Sequence, residues 1–370
     1  MSSTFYERVR KWLGKAALIQ NFRKLKSARA RPKYSATRTK QKNQQHKSII
    51  FLCPATNVPR GGVKVIYNQA ALINSLQGQL TASILHPLNP EFSCTWFNHS
   101  ATIKGDLEFA LLNDFIMIPE FWAVPHARLI HETGLRYGIY VQNGYVISRN
   151  NGEELEAAYH NAALILAISD DTAECIKMAY PECEGRVYRV HYSVNPDKFN
   201  VRPIKENIVC YMPRKLPRHS QLVTFFLKKL IPLNWRIEGI DGLSEDGVAD
   251  ILGKSRIFLS FSEFEGCPLP PVEAALSGCH VIGYTGEGAK EYWNAELFTE
   301  IYCGDIKAFV KAVLNKIDEL DSAQPVMRTT AIQNLANRYS AKIELADMQL
   351  VSQKVVQILN QVDQGFSIGF

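Results

Sequence analysis

In SEFEGCPLPPVEAALSGCHVIGY (residues 262–284), Glu265 and Glu273 lie eight positions apart around a glycine and three prolines. The apolar runs before and after it have the length and composition of buried strands. The small-residue stretch between them reads as a helix that Gly278 ends. Proline costs no hydrogen bond in a first helical turn, so the helix is expected to start near Pro270 or Pro271. A helix N-terminus carries free N–H groups and partial positive charge, a seat for phosphate; an anion there would meet the N–H of Leu269. Glu273, in the first turn, is badly placed for phosphate but well placed to accept hydrogen bonds from vicinal sugar hydroxyls, as acidic residues do for ribose in dinucleotide folds. Glu265, on the strand side, reaches toward a second polyol. One ligand with a diphosphate between two sugars suits both carboxylates. Glutamates near a helix start also act as simple caps, and only the strand–turn–helix–strand setting separates the two readings.

Outside this segment the chain alternates short strands with helical periods. SIIFLCP (48–54), TASILHP (81–87), DFIMIPE (114–120), IYVQN (139–143) and LILAIS (164–169) read as strands, with a helix from Gly61 and others at 153–162 and 170–180. A proline-bearing connection near 195–207 follows. A second series then begins with NIVCYMP (207–213), SQLVTFFLKKL (220–230) and WRIEGI (235–240). Such alternation implies α/β architecture with mostly parallel sheets, and two series imply two Rossmann-like halves facing a cleft. The expected divisions are a tail at 1–47, halves at 48–200 and 205–345, and a C-terminal helix at 346–370 that packs back on the first half. Ligands in such folds sit outside the carboxyl ends of the strands.

The formal charge of +6 is unevenly placed. Residues 1–47 hold fourteen Lys and Arg against one acid, Glu7, which leaves the body at −7. That body excludes a basic nucleic-acid-binding globule. In the tail, Phe5, Val9, Trp12, Ala16 and Ile19 recur at helical spacing beside Arg8, Arg10, Lys11 and Lys15, a pattern that would lay residues 1–30 on an anionic membrane. Residues 26–47 lack apolar periodicity and read as a flexible linker. Eight cysteines without CxxC or paired spacing read as reduced core thiols of a cytosolic protein. The nine histidines form no HExxH, so no metal site is expected.

FEGCPLPPVEAALSGCHVIGYTGEGAKEYW resembles the donor-site signature of retaining glycosyltransferases of the GT-B fold, family 4 type. AISDDTAECIKMAYPECEGRVYRVHYSVNPDKF (167–199) and LCPATNVPRGGVKVIYNQAALINSL (52–76) are similar to further segments of that family, in the same order along residues 49–350. The resemblance implies that Glu273 holds the nucleotide ribose and Glu265 the transferred sugar. It implies that Gly266, Pro268 and Leu269 approach the diphosphate, that Gly61 and Gly62 let the first loop close over it, and that Arg214, Lys215 and Arg218 neutralise the leaving group. The last three depart from the family's five-residue Arg/Lys spacing. Pro268 stands where glycine is common, Ala289 and Lys290 where a second glycine pair is common, and the His-Asp of the first half is missing. Glu120 and Asn143 are the candidate acceptor or sugar contacts in its place, each equally readable as structural. The implied activity is retaining transfer from a nucleotide sugar to a glycan or lipid-linked acceptor in envelope polysaccharide synthesis, at the inner membrane face if the tail binds lipid. No DxD with a second ligand is evident, so cationic side chains and a helix end replace metal, and no cofactor is expected. The alternatives are an inverting transferase or epimerase of the same fold, and a catalytically silent nucleotide-sugar-binding protein at a membrane.

Overall fold

The computed structural model describes residues 32–37, 47–149, 152–322 and 329–367. In chain order its first half runs β1 (Ser35–Thr37), β2 (Lys47–Leu52), α1 (Gly61–Ser75), β3 (Leu80–Leu85), β4 (Glu108–Ala110), β5 (Asp114–Pro119), α2 (Ala123–His131), β6 (Arg136–Val141), α3 (Glu153–Asn161), β7 (Leu164–Ala167), α4 (Asp170–Ala179) and β8 (Val187–Arg189). The second half runs β9 (Ile208–Tyr211), α5 (Pro217–Leu230), β10 (Arg236–Gly239), α6 (Glu245–Lys254), β11 (Ile257–Glu265), α7 (Leu269–Leu276), β12 (His280–Glu287), β13 (Phe298–Glu300), α8 (Ile306–Ser322), α9 (Thr329–Arg338) and α10 (Ala341–Ser367).

Two large parallel sheets result, ordered β3-β2-β5-β6-β7-β8 and β10-β9-β11-β12-β13, beside a two-stranded β1-β4 pair. Their central strands are mostly apolar because helices cover both faces; β5 and β7 are buried at every position. The second sheet reverses its winding between β9 and β11, the switch point at which this class opens a ligand crevice. The long helix α10 returns to the first half and packs on α1 and the first sheet. There Met348, Val351, Val355 and Leu359 are buried, while Ser193 donates to Glu344 from both its backbone and its hydroxyl.

One expectation is corrected. Part of the stretch read as a structureless linker is ordered: Ser35–Thr37 pairs in parallel with Glu108–Ala110. Tyr34 packs on Phe109 and bonds His126, and Ala36 is partly buried. Alternation of inward Tyr34 and Ala36 with outward Ser35 and Thr37 is a two-residue period too short to stand out in a basic tail. The amphipathic segment expected over residues 1–30 lies outside the described residues. Among those described, no helix is long and apolar enough to cross a membrane. All eight cysteines are free thiols, five of them buried.

Candidate active site at the switch point

The carboxyl ends of β9, β11 and β12 lie side by side and share an uncommon backbone feature. Leu216, Phe264 and Glu287, each at or just past one of these ends, have positive φ (39°, 47° and 68°). Left-handed conformations are disfavoured for non-glycine residues and gather at functional sites. The β11–β12 register also shifts between Ser262 and Glu265, so the last residues of β11 leave the regular ladder. Gly266 and Gly288 are obligatory here. A Cβ on Gly288 would lie 1.9 Å from the Gly266 carbonyl oxygen, and one on Gly266 would lie 2.2 Å from that of Gln142.

Within this frame Lys215 and Glu265 form an ion pair across the switch point. Both line a narrow cavity with Met212, Ser262, Pro270 and Pro271. Arg214 and Arg218 are exposed, and neither forms an ion pair among the described residues. α7 starts at Leu269, one or two residues earlier than expected, with Pro268 as its N-cap. The prolines at 268, 270 and 271 have no N–H, so of the donors a helix start leaves free only that of Leu269 remains. Gly61 opens α1 against the same spot: a Cβ there would be 3.2 Å from the Leu269 side chain. The starts of α1 and α7 thus lie close together. Gly62 is held by Gln142, whose side chain donates to its carbonyl at 3.1 Å and would meet any Cβ at 2.3 Å.

Glu273 is partly buried, and among the described residues its carboxylate takes no hydrogen bond. Burial pushes the carboxyl up to about 7, against the pull of Lys64 and with a further push from Glu245. Lys64, in the first turn of α1, crosses to the second half and pairs with Glu245 at the start of α6; Lys198 binds the same glutamate at 2.7 Å. Glu273 is therefore the unpartnered member of a cluster at the junction of the halves.

Of the two residues read as acceptor contacts, Asn143 is engaged in hydrogen bonds, and Glu120 is buried with one oxygen free among the described residues. Asn143 donates to the Phe264 carbonyl at 2.8 Å and accepts from the Tyr145 amide at 2.9 Å, and the Tyr145 and Phe264 rings pack 5.4 Å apart. Glu120 is buried and one of its oxygens has no partner. Burial pushes its carboxyl up to about 7, opposed by backbone hydrogen bonds at Gln142 and Asn143.

Sequence reasoning missed Glu291, which ties three segments together. Its carboxylate accepts from the Asp170 amide (2.8 Å), Arg189 (2.6 Å) and the Tyr339 hydroxyl (2.8 Å), and Arg338 lies 3.3 Å away. Cys267, in the turn before α7, abuts the same group, and the adjacent Tyr292 hydroxyl donates to the Pro268 carbonyl at 2.9 Å. This cluster fixes the turn from beneath. Its only sequence signal was an acid five residues beyond Gly286. Among the described residues, no three His, Cys, Asp or Glu side chains converge as a metal-binding group.

No family model matches the chain. An alpha-1,6-glucosyltransferase of Actinobacillus pleuropneumoniae serotype 7 (strain AP76) is 28% identical over 133 residues, 34% of this chain and 40% of that protein. The matched region thus spans less than half the length of that relative. Solved structures agree over far more of the chain. HepE of Anabaena, solved with UDP, superposes with a TM-score of 0.58 at 13% identity, covering 86% of this chain and 99% of that one. Sucrose-phosphate synthase from Thermosynechococcus elongatus gives 0.57 at 14% identity over 88% and 100% of the two chains. A glycosyltransferase from Rickettsia africae ESF-5 gives 0.60 at 15% identity over 84% and 99%. The fold is that of the GT-B glycosyltransferases, an α/β architecture of two parallel-sheet halves.

Proposed function

We propose that the chain is a retaining, metal-independent glycosyltransferase that moves a hexosyl or deoxyhexosyl group from a nucleoside-diphosphate sugar to a hydroxyl of a glycan or lipid-linked acceptor. The observation that carries this reading is the Lys215–Glu265 pair at the switch point beside two neighbouring helix starts, with Glu273, unpartnered among the described residues, eight residues on. The Glu273 carboxylate accepts hydrogen bonds from the ribose hydroxyls. The diphosphate lies against the N–H groups of Gly61, Gly62 and Leu269, with Gly266 and Pro268 in the turn beside it. Glu265 accepts from hydroxyls of the transferred sugar and aligns Lys215.

In the reaction the bond from the anomeric carbon to the diphosphate oxygen breaks, and the oxygen keeps the electron pair. The acceptor hydroxyl adds to that carbon from the same face. Its proton passes to the departing diphosphate. Lys215, Arg214 and Arg218 stabilise the charge that grows on the leaving group, the largest lever available to the protein for this step. The likeness to HepE, solved with UDP and with UDP-glucose, supports a nucleotide-sugar donor. The α-glucosyl relative supports a transferase.

The test is a panel of UDP-, GDP-, ADP- and dTDP-sugars read by thermal shift and nucleotide release. One base class is expected to raise the melting temperature, since saturation at a hundredfold excess over Kd adds about 2.7 kcal/mol. A flat panel overturns the reading. Binding without release at any acceptor indicates a silent binding protein instead. Turnover that a chelator abolishes and manganese restores would remove the metal-independent step.

A further inference from the structure

The outward face of α5 carries Leu222, Phe225, Phe226 and Leu230, and Leu233 follows just beyond the helix. Phe225 is 56% exposed, Phe226 44%, and Leu233 fully so. The opposite face, with Val223, Thr224 and Leu227, is buried against the second sheet and α8. A helix with one apolar face in the core and a second in solvent leaves a contiguous patch of the kind that marks an interaction surface.

Charge identifies the occupant. Residues 207–237 contain no Asp or Glu and six bases; Lys215 and Arg236 are paired with glutamates elsewhere, which leaves Arg214, Arg218, Lys228 and Lys229 as the positive charge of this segment, in a body whose net charge is negative. Lys228 and Lys229 are exposed beside the two phenylalanines. A second copy of the chain docking by twofold symmetry would set these lysines against themselves. The chain's own N-terminal segment is just as basic. A surface that joins an anionic layer to an apolar one satisfies both halves of the pattern, and that is a phospholipid bilayer.

We propose that α5 docks the second half of the molecule on an anionic membrane, with Phe225, Phe226 and Leu230 entering the acyl boundary and Lys228 and Lys229 at the headgroups. The helix starts at the loop that carries Arg214 and Lys215. At 1.5 Å per residue, Leu222 lies roughly 8 Å along it from Pro217, so the docked face begins close to the mouth of the cleft. The inference stands apart from the transfer reaction: it requires only this helix and its charge.

The test is flotation of the full chain with vesicles of phosphatidylcholine alone or mixed with phosphatidylglycerol, at low and high salt. F225S combined with F226S is expected to lower the partition coefficient on mixed vesicles about tenfold or more. K228E combined with K229E is expected to lower it by at least as much, and high salt to weaken the wild type. The same losses should appear in a background where Arg8, Arg10, Lys11 and Lys15 are changed to serine, which separates α5 from the tail. Donor-induced thermal shift should survive in both α5 variants, because Phe225, Phe226, Lys228 and Lys229 do not line the cavity of the candidate site. Wild type that fails to float, flotation unchanged by both α5 pairs, or equal flotation on neutral vesicles overturns the proposal. So does a dimer in sedimentation velocity that F225S/F226S dissolves, which would make the face a contact between copies.

Discussion

Glu273 and Glu291 lie eighteen residues apart in the chain, on either side of the same strand, and their surroundings are opposite. Glu291, its side chain 5% exposed, is saturated by an amide, a guanidinium and a phenol. Glu273 keeps an empty carboxylate at a junction where burial already holds its proton more tightly. A charge placed at a cost of solvation and fully compensated fixes geometry. One placed at the same kind of cost and left open has its partners still to come. The two glutamates thus differ in how many of their oxygens are satisfied among the described residues.

The contrast is easiest to break through stability. Glu291→Ala leaves the Arg189 guanidinium, 14% exposed, without its main counter-charge and cuts the link between the first half, the donor turn and the C-terminal crossover. The expected loss is about 3–5 kcal/mol in urea denaturation, the range for breaking a buried pair. Glu273→Ala should leave unfolding free energy within about 1 kcal/mol or raise it, because no partner is lost. Equal destabilisation by the two would end the distinction.

Turnover gives the next largest effect. Arg214→Ala and Lys215→Ala are each expected to cut kcat by roughly a hundredfold to a thousandfold, the range for removing one preorganised donor to a developing charge, with little change in melting temperature. Arg128, an exposed cation paired with Glu132 on α2, serves as control and should change nothing measurable. Similar rates for all three would move the counter-charge elsewhere.

How much of this was legible in the sequence follows from the range of the forces involved. Strand–helix alternation is local, and both sheets were visible from it. The pair Glu265 and Glu273, and the glycines at 61 and 62, lay in recognisable turns. The Glu291 cluster was hidden because its partners come from residues 170, 189 and 338–339, which only the folded chain brings together. The short strand at 35–37 needed Phe109, far along the sequence, to give it a reason to form. In α5, Leu222, Phe225 and Phe226 are as apolar as Val223 and Leu227, so periodicity could show a helix without telling which face was the core. The start of α7 was displaced because Pro268 can serve as an N-cap, which moves Pro270 and Pro271 into the first turn.

Backbone approach offers a third and smaller test. Gly266→Ala puts a methyl group 2.2 Å from the Gln142 carbonyl and 2.9 Å from the Asn143 Cα. Neither is the end of a flexible side chain, so the two halves must move apart at the donor turn. We expect a loss of roughly 1–3 kcal/mol, typical of overpacking, together with weaker donor binding. Gly185→Ala, where no atom lies within 4 Å of the added carbon, should be silent in both measurements.

The finest test uses the proton on Glu273. A carboxyl raised from its ordinary value of about 4.3 to about 7 takes up protons on folding, so its contribution to stability falls as pH rises through that interval. Ribose hydroxyls, as donors, bind the ionised form, so donor affinity must run the other way and increase with pH. With a free-state value near 7, the ionised fraction grows about tenfold between pH 6 and pH 8, and the donor association constant should grow with it in calorimetric titration. Glu273→Gln should flatten the profile at a lower affinity, because an amide oxygen still accepts but no longer titrates. Glu120 is raised to about the same value and could mimic the effect. It contacts the backbone at Gln142 and Asn143 rather than the start of α7, so Glu120→Gln should keep the slope. A slope that follows Glu120 and ignores Glu273 would transfer the ligand-sensing carboxylate to the first half of the molecule.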